Sequence, residues 1–113
     1  MPSLYGISNC DTVKKARRWL DQHGLSFDFI DYRKTPLDKK IIQGWLDQVG
    51  RETLLNKKSR TWRELAENDK NKLTDSKIVK LLLEHPTLIK RPVLVKGKTV
   101  IIGFDEEAYK NLT

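Results

Sequence analysis

A strand, helix, strand succession in the first third of the chain constrains the fold more than any other feature. The apolar run Ser3-Leu4-Tyr5-Gly6-Ile7 predicts a strand. From Asp11 onward, Val13, Ala16 and Leu20 fall on one helical face with Trp19 at its shoulder, and Gly24 marks the stop. Leu25-Ser26-Phe27-Asp28-Phe29-Ile30 then alternates as a second strand. A crossover of this kind makes its two strands parallel neighbours. Near the other end, Val93-Leu94-Val95 and Val100-Ile101-Ile102 flank Lys96-Gly97-Lys98, which predicts an antiparallel hairpin with Gly97 at positive φ. The expected strands are thus one parallel pair and one antiparallel pair.

The middle of the chain reads as helical. After the break at Thr35-Pro36, Ile41, Ile42, Trp45, Leu46 and Val49 repeat at helical spacing until Gly50. Thr61 and Glu64 have the form of a capping box, and Thr74-Asp75 precedes an Ile78, Leu81, Leu82 stripe that runs to His85-Pro86. Asp105 is placed to cap a last helix through Leu112, with Glu106 and Glu107 in the first turn, where the helix dipole favours negative charge. The expectation is one α/β domain over residues 1–113 with a helical insertion at about 36–86.

Cys10, the only cysteine, stands where the first strand hands over to the first helix. Unpaired amides at a helix start favour a thiolate over a thiol, so Cys10 is a candidate nucleophile; the plainer reading of a free cysteine is a small buried hydrophobe. Lys14, one turn along, would assist a thiolate or simply be solvated, and Asp11 would oppose it. Asn9 has two readings, a cap of the first helix or a substrate contact. A single cysteine forms no internal disulfide, and the N-terminus has neither the basic start nor the apolar stretch of a secretory signal, so the expected setting is a reducing cytoplasm. No apolar run approaches a membrane span.

The formal net charge of +7 suits an acidic partner or anionic substrate. Its Lys and Arg pairs are scattered and not interleaved with aromatics, which favours solvated helix faces over a nucleic-acid footprint. Trp19, Trp45 and Trp62 are expected to pack in the core. His23 and His85 lack metal-ligand spacing, so no metal is expected.

Three segments carry a family resemblance: Asn9-Cys10-Asp11-Thr12, Leu54-Leu55-Asn56-Lys57-Lys58, and above all His85-Pro86-Thr87-Leu88-Ile89-Lys90-Arg91-Pro92-Val93. Together they resemble the arsenate reductase (ArsC) family and its Spx and YffB-like relatives, most closely the YffB-like branch. The resemblance implies an α/β, thioredoxin-like (glutaredoxin-like) fold, a four-stranded mixed sheet with a helical insertion and with a proline, usually cis, beside the active cysteine; Pro92 fills that place, or serves only as a strand-start residue. It implies Cys10 as nucleophile and Arg91 as an oxyanion-binding arginine, against the plainer reading of Arg91 as a surface ion-pair partner. A second arginine position is held by Asn56, and the third falls near Gly103. With two of three guanidiniums missing, arsenate loses charge-assisted bonds, and disulfide chemistry is the better expectation.

YffB-like members are suggested to be glutathione-dependent thiol reductases. The resemblance thus implies catalytic Cys10 and Arg91, with Asn9, Lys14, Asn56 and Pro92 as substrate or glutathione contacts. No tightly bound cofactor is expected; glutathione is the implied co-substrate, and the partner is glutathione or a glutathionylated disulfide, met by a monomer. The alternative is an Spx-like partner of RNA polymerase. Spx-type chains commonly carry a second cysteine three residues after the first, where this chain has Val13, so an internal dithiol switch is excluded.

Overall fold

The computed structural model describes residues 2–65 and 74–112. The chain forms two compact units, one from Met1–Pro36 with Arg91–Thr113 and the other from Leu37–Lys90. The second unit overlaps the segment expected as a helical insertion, at about 36–86.

The first unit is a four-stranded mixed sheet in the order β2-β1-β3-β4. Strand β1 (Ser3–Gly6) runs parallel to β2 (Asp28–Asp31), pairing Leu4 with Phe29 and Gly6 with Asp31. It runs antiparallel to β3 (Val93–Lys96), with Leu4 opposite Leu94, and β3 turns through Gly97, at φ 60°, into β4 (Thr99–Ile102). The α/β expectation and the mixed pairing are both met.

Helix α1 (Asp11–Gln22) connects β1 to β2. Its end is a Schellman closure: Gly24, at φ 68°, donates to the Asp21 carbonyl and Leu25 donates to the Leu20 carbonyl. That closure uses Leu25, so β2 begins at Asp28 and not at Leu25 as the alternation predicts. The core of this unit lies where α1 packs on the sheet, joining Leu4, Ala16, Trp19, Leu20, Leu94 and Tyr109. Tyr109 comes from the last helix, which Asp105 caps as expected: its carboxylate accepts from the Glu107 and Ala108 amides at 3.1 and 3.3 Å. Trp19 and Phe104 meet the Tyr109 ring edge-on, with centroids 5.5 and 5.3 Å away.

The second unit is helical. Helix α2 (Lys39–Val49) is capped by Asp38, which accepts from the Ile41 amide at 2.8 Å, and it stops at Gly50, at φ 80°. A short α3 (Arg51–Leu54) follows, then α4 (Arg60–Glu64) and α5 (Asp75–Glu84). Helix α5 packs on α2 and begins at Thr74 as expected, its hydroxyl accepting from the Lys77 amide at 3.2 Å. Thr61 does not cap α4. Ser59 does, accepting from the Trp62 amide at 3.2 Å, while the Thr61 hydroxyl bonds that of Thr87 at 2.8 Å. Two residues of difference thus convert an expected cap into a side-chain link between α4 and the 3₁₀ turn Pro86–Leu88. Trp19 and Trp45 are buried, but Trp62 is only half-buried, with the Lys57 ammonium 5.8 Å from its ring centroid. The first unit is completed by α6 (Glu106–Lys110). No helix among the described residues is long and apolar enough to cross a membrane.

Candidate active site

The site is built where β1 ends. After Gly6 and Ile7 the chain turns through exposed Ser8 and Asn9, and Cys10 takes the N-cap position of α1 in an extended conformation. The Cys10 amide donates to the Ile7 carbonyl at 3.2 Å, and its carbonyl accepts from the Lys14 amide at 3.0 Å as the first bond of the helix. The first turn of α1 lies very close to β1: a Cβ on Gly6 would stand 2.8 Å from a Val13 methyl. Only glycine allows that approach, and it brings the amides at the start of α1 to the end of the strand.

Cys10 is a free, half-buried thiol. Burial pushes its pKa up, but opposing influences outweigh it and leave the thiol below its ordinary value. In order, these are the Val13 amide, hydrogen bonding by the Arg91 side chain, the Thr12 amide, and the charge of Arg91. The sulfur makes no capping bond of standard geometry, so the two amides act as close dipoles facing it. This is how a helix start stabilises an anion.

Arg91 precedes Pro92, and the Arg91–Pro92 peptide is cis. The guanidinium is half-buried; burial lowers its pKa, but its contacts with the Cys10 sulfur and Tyr32 more than compensate and raise it. Tyr32 is the site residue the sequence reasoning missed. Its amide donates to the Gly6 carbonyl at 3.2 Å, extending the β1–β2 ladder beyond Asp31, and its side chain is 2 % exposed. Burial pushes its hydroxyl up to about 12, against the pull of Arg91. The hydroxyl has no hydrogen-bond partner of good geometry among the described residues, so its contact with Arg91 is a close approach and not a fully formed bond. A strand expected to end at Ile30 leaves Tyr32 in a loop. The available signal was the parallel pairing itself, which puts the residues after β1 and after β2 side by side.

Asp31 is a second residue not foreseen. Its carboxylate accepts from the Ser8 amide at 3.3 Å and the Arg33 amide at 2.9 Å, tying the Cys10 loop to the end of β2. Slight desolvation raises its pKa, but the Arg33 and Ser8 amides, the Ser8 hydroxyl and Lys34 together hold it below the usual carboxylate value. Ser8 and Asp31 also border an open groove of about 530 Å³ lined in addition by Arg17, Phe29, Ile30, Lys34 and Thr35. The Arg17 guanidinium lies 4.3 Å from the Phe29 ring centroid.

Of the residues marked in the sequence, Cys10 and Arg91 are brought together. Asn9 does not cap α1, because Cys10 occupies the cap; Asn9 is exposed in the preceding turn. Lys14 is exposed on α1 and is not among the main groups acting on the sulfur. Pro92 is buried, and its carbonyl accepts from the Gly103 amide at 2.8 Å. Gly103, near which the family resemblance puts a third arginine, is a glycine at φ 77°. Asn56 lies in the helical unit, where its side-chain oxygen accepts from the Lys58 amide at 3.2 Å. Among the described residues no group of three or more His, Cys, Asp or Glu could hold a metal ion.

Comparison with known proteins agrees with this architecture. The model of the ArsC family matches residues 5–112. An uncharacterised protein of Haemophilus influenzae is 44% identical over 97% of this chain and 96% of its own length. The global transcriptional regulator Spx of Streptococcus agalactiae is 30% identical over 95% of this chain and 79% of its own length. Among solved structures, the YffB protein superposes with a TM-score of 0.95 at 41% identity, covering 98% of this chain and 97% of that one. A glutaredoxin from Archaeoglobus fulgidus, 22% identical, shares the fold at a TM-score of 0.53 over 98% of this chain and 83% of its own, so the fold is thioredoxin-like. With a family match over nearly its whole length, the Spx regulators as relatives and YffB as a near-superposable structure, the chain belongs to the ArsC family, in its YffB-like branch.

Proposed function

We propose that the protein is a glutathione-coupled monothiol reductase with Cys10 as its nucleophile. The observation that carries this reading is the convergence of two helix-start amides and the Arg91 guanidinium on a half-exposed sulfur in a chain without a second cysteine. The Cys10 thiolate attacks the glutathionyl sulfur of a mixed disulfide. A Cys10–glutathione disulfide forms, and the partner leaves as a thiolate that takes a proton from water. A glutathione thiolate then attacks the adduct, giving glutathione disulfide and restoring the Cys10 thiolate. The net change is one mixed disulfide and one glutathione converted to a free thiol and glutathione disulfide. With no resolving cysteine, release depends on the external thiol, which a reducing cytoplasm supplies.

Arg91 orients a carboxylate of the incoming glutathionyl group as well as holding the sulfur anionic. Arg17 and Lys34, in the groove beside Ser8, offer further cations to the carboxylates of such a partner. Asn9, exposed next to the nucleophile, is available for substrate contact. Arsenate is a poorer fit because Asn56 and Gly103 stand where the resemblance places two further arginines.

The test is incubation with a glutathione mixed disulfide of a small thiol, followed by intact-protein mass. Wild type gains one glutathionyl group on Cys10 and loses it to added glutathione, whereas Cys10→Ser gains none and turns nothing over. A Cys10→Ser variant with full reductase activity would overturn the proposal.

The relatives named Spx support a second reading, a binding protein whose partner, by the family resemblance, is RNA polymerase. Val13 in place of a second cysteine means that such binding would not respond to oxidation by an internal disulfide. Equal retention of polymerase by wild type and Cys10→Ser, together with an inert thiol, would favour it.

A further inference from the structure

We infer that Tyr32 is a positioning residue whose buried hydroxyl holds the Arg91 guanidinium in place against the Cys10 sulfur. The inference rests on the reading of Cys10 as an Arg91-stabilised nucleophile. Tyr32 is 2 % exposed, and its place is fixed by the hydrogen bond its backbone amide donates to the Gly6 carbonyl, one strand end away from the Cys10 loop. The sheet register brings Tyr32 and Arg91 to the two sides of the end of β1, since Gly6 pairs with Asp31 and Tyr5 with Val93; the Tyr32 oxygen has no hydrogen-bond partner of good geometry among the described residues, and Arg91 acts electrostatically on both that oxygen and the sulfur. A phenylalanine would fill the same volume without burying an oxygen, and a buried polar atom is disfavoured unless something nearby uses it. Arg91 is the group placed to do so.

The guanidinium carries five N–H donors in a rigid fork, so an oxygen and a sulfur can each face a different one without competing. Two acceptors restrict a long side chain that would otherwise sample many rotamers. The hydroxyl also stays neutral throughout the range in which a thiol titrates, because burial keeps its pKa near 12, so it anchors Arg91 without cancelling its charge. Removing the oxygen takes away one of the groups that hold Arg91 beside the sulfur. The guanidinium then spends less time at the sulfur, and less of Cys10 is thiolate.

The experiment follows Cys10 alkylation by iodoacetamide, a neutral probe, as a function of pH in wild type, Tyr32→Phe, Arg91→Ala and the double variant. Tyr32→Phe is expected to raise the half-point by about half a pH unit, which is roughly a threefold loss of thiolate below the half-point. In the Arg91→Ala background the same substitution should change nothing, because the residue it acts through is gone. No shift, a downward shift, or an equal shift in both backgrounds would overturn the inference. A wild-type half-point at the ordinary cysteine value would overturn the nucleophile reading and this inference together, whereas a low wild-type value unchanged in Tyr32→Phe would overturn this inference alone. Nitrogen-15 spectra of arginine in the wild-type protein check the same point without a variant: hindered rotation should resolve the Arg91 terminal N–H signals, and freely averaged signals would contradict the restraint.

Discussion

Replacing Arg91 with alanine removes the cation beside the Cys10 sulfur and leaves the Val13 and Thr12 amides in place. The half-point of Cys10 alkylation is expected to rise by about one pH unit, and Arg91→Lys should recover only part of it, because a point charge does not reproduce the guanidinium fork. An unchanged half-point in Arg91→Ala would mean that the amides alone set the thiol. At this scale Cys10 and Arg91 were legible because each carries a positional mark: one stands at a strand-to-helix junction, the other before a proline. Tyr32 carries none. Its role comes from pairing between strands that are distant in sequence, and an aromatic residue after a strand reads as ordinary core.

The junction between β1 and α1 depends on the close approach of Gly6 to Val13. Gly6→Ala places a methyl into the Val13 side chain and is expected to cost about 1–3 kcal/mol by overpacking, read as a lower midpoint in urea. Val13→Ala in the same chain should restore part of the loss; no rescue would show that the strain lies elsewhere. The loop between these elements is held from the other side by Asp31, whose folded-state pKa lies below the ordinary carboxylate value. A depressed carboxylate pKa contributes stability above the unfolded-state value, near 3.9, and that contribution is lost as pH falls through the folded value. The stability difference between wild type and Asp31→Asn should therefore be greatest near neutral pH and shrink below about pH 4; a difference that grows on acidification would contradict the clamp. Element types were readable from periodicity, but boundaries were not where local closures intervened. The Schellman bonds at Gly24 delay β2, and Ser59 displaces Thr61 as a cap because its oxygen meets the Trp62 amide.

Over the whole molecule, the parallel and antiparallel pairs followed from two connections, a crossover and a hairpin, and their union in one sheet followed from the family resemblance. The composition of the site did not, because its members come from both ends of the chain. The net charge of +7 adds a long-range effect: an anionic disulfide should react faster at low ionic strength, with the rate falling several-fold as salt approaches about 0.15 M, whereas a neutral disulfide should show little change. Equal salt dependence for both would remove any steering role for the charge. The central claim is that one thiolate, held by Arg91 and the helix start, carries out the exchange. Its most direct test is the pH dependence of glutathionyl transfer to wild-type protein, followed by intact mass. A single adduct on Cys10, forming with a half-point clearly below the free-cysteine value of about 8.5 and released by glutathione, is the predicted result; a half-point at or above that value, or no adduct, would contradict the account.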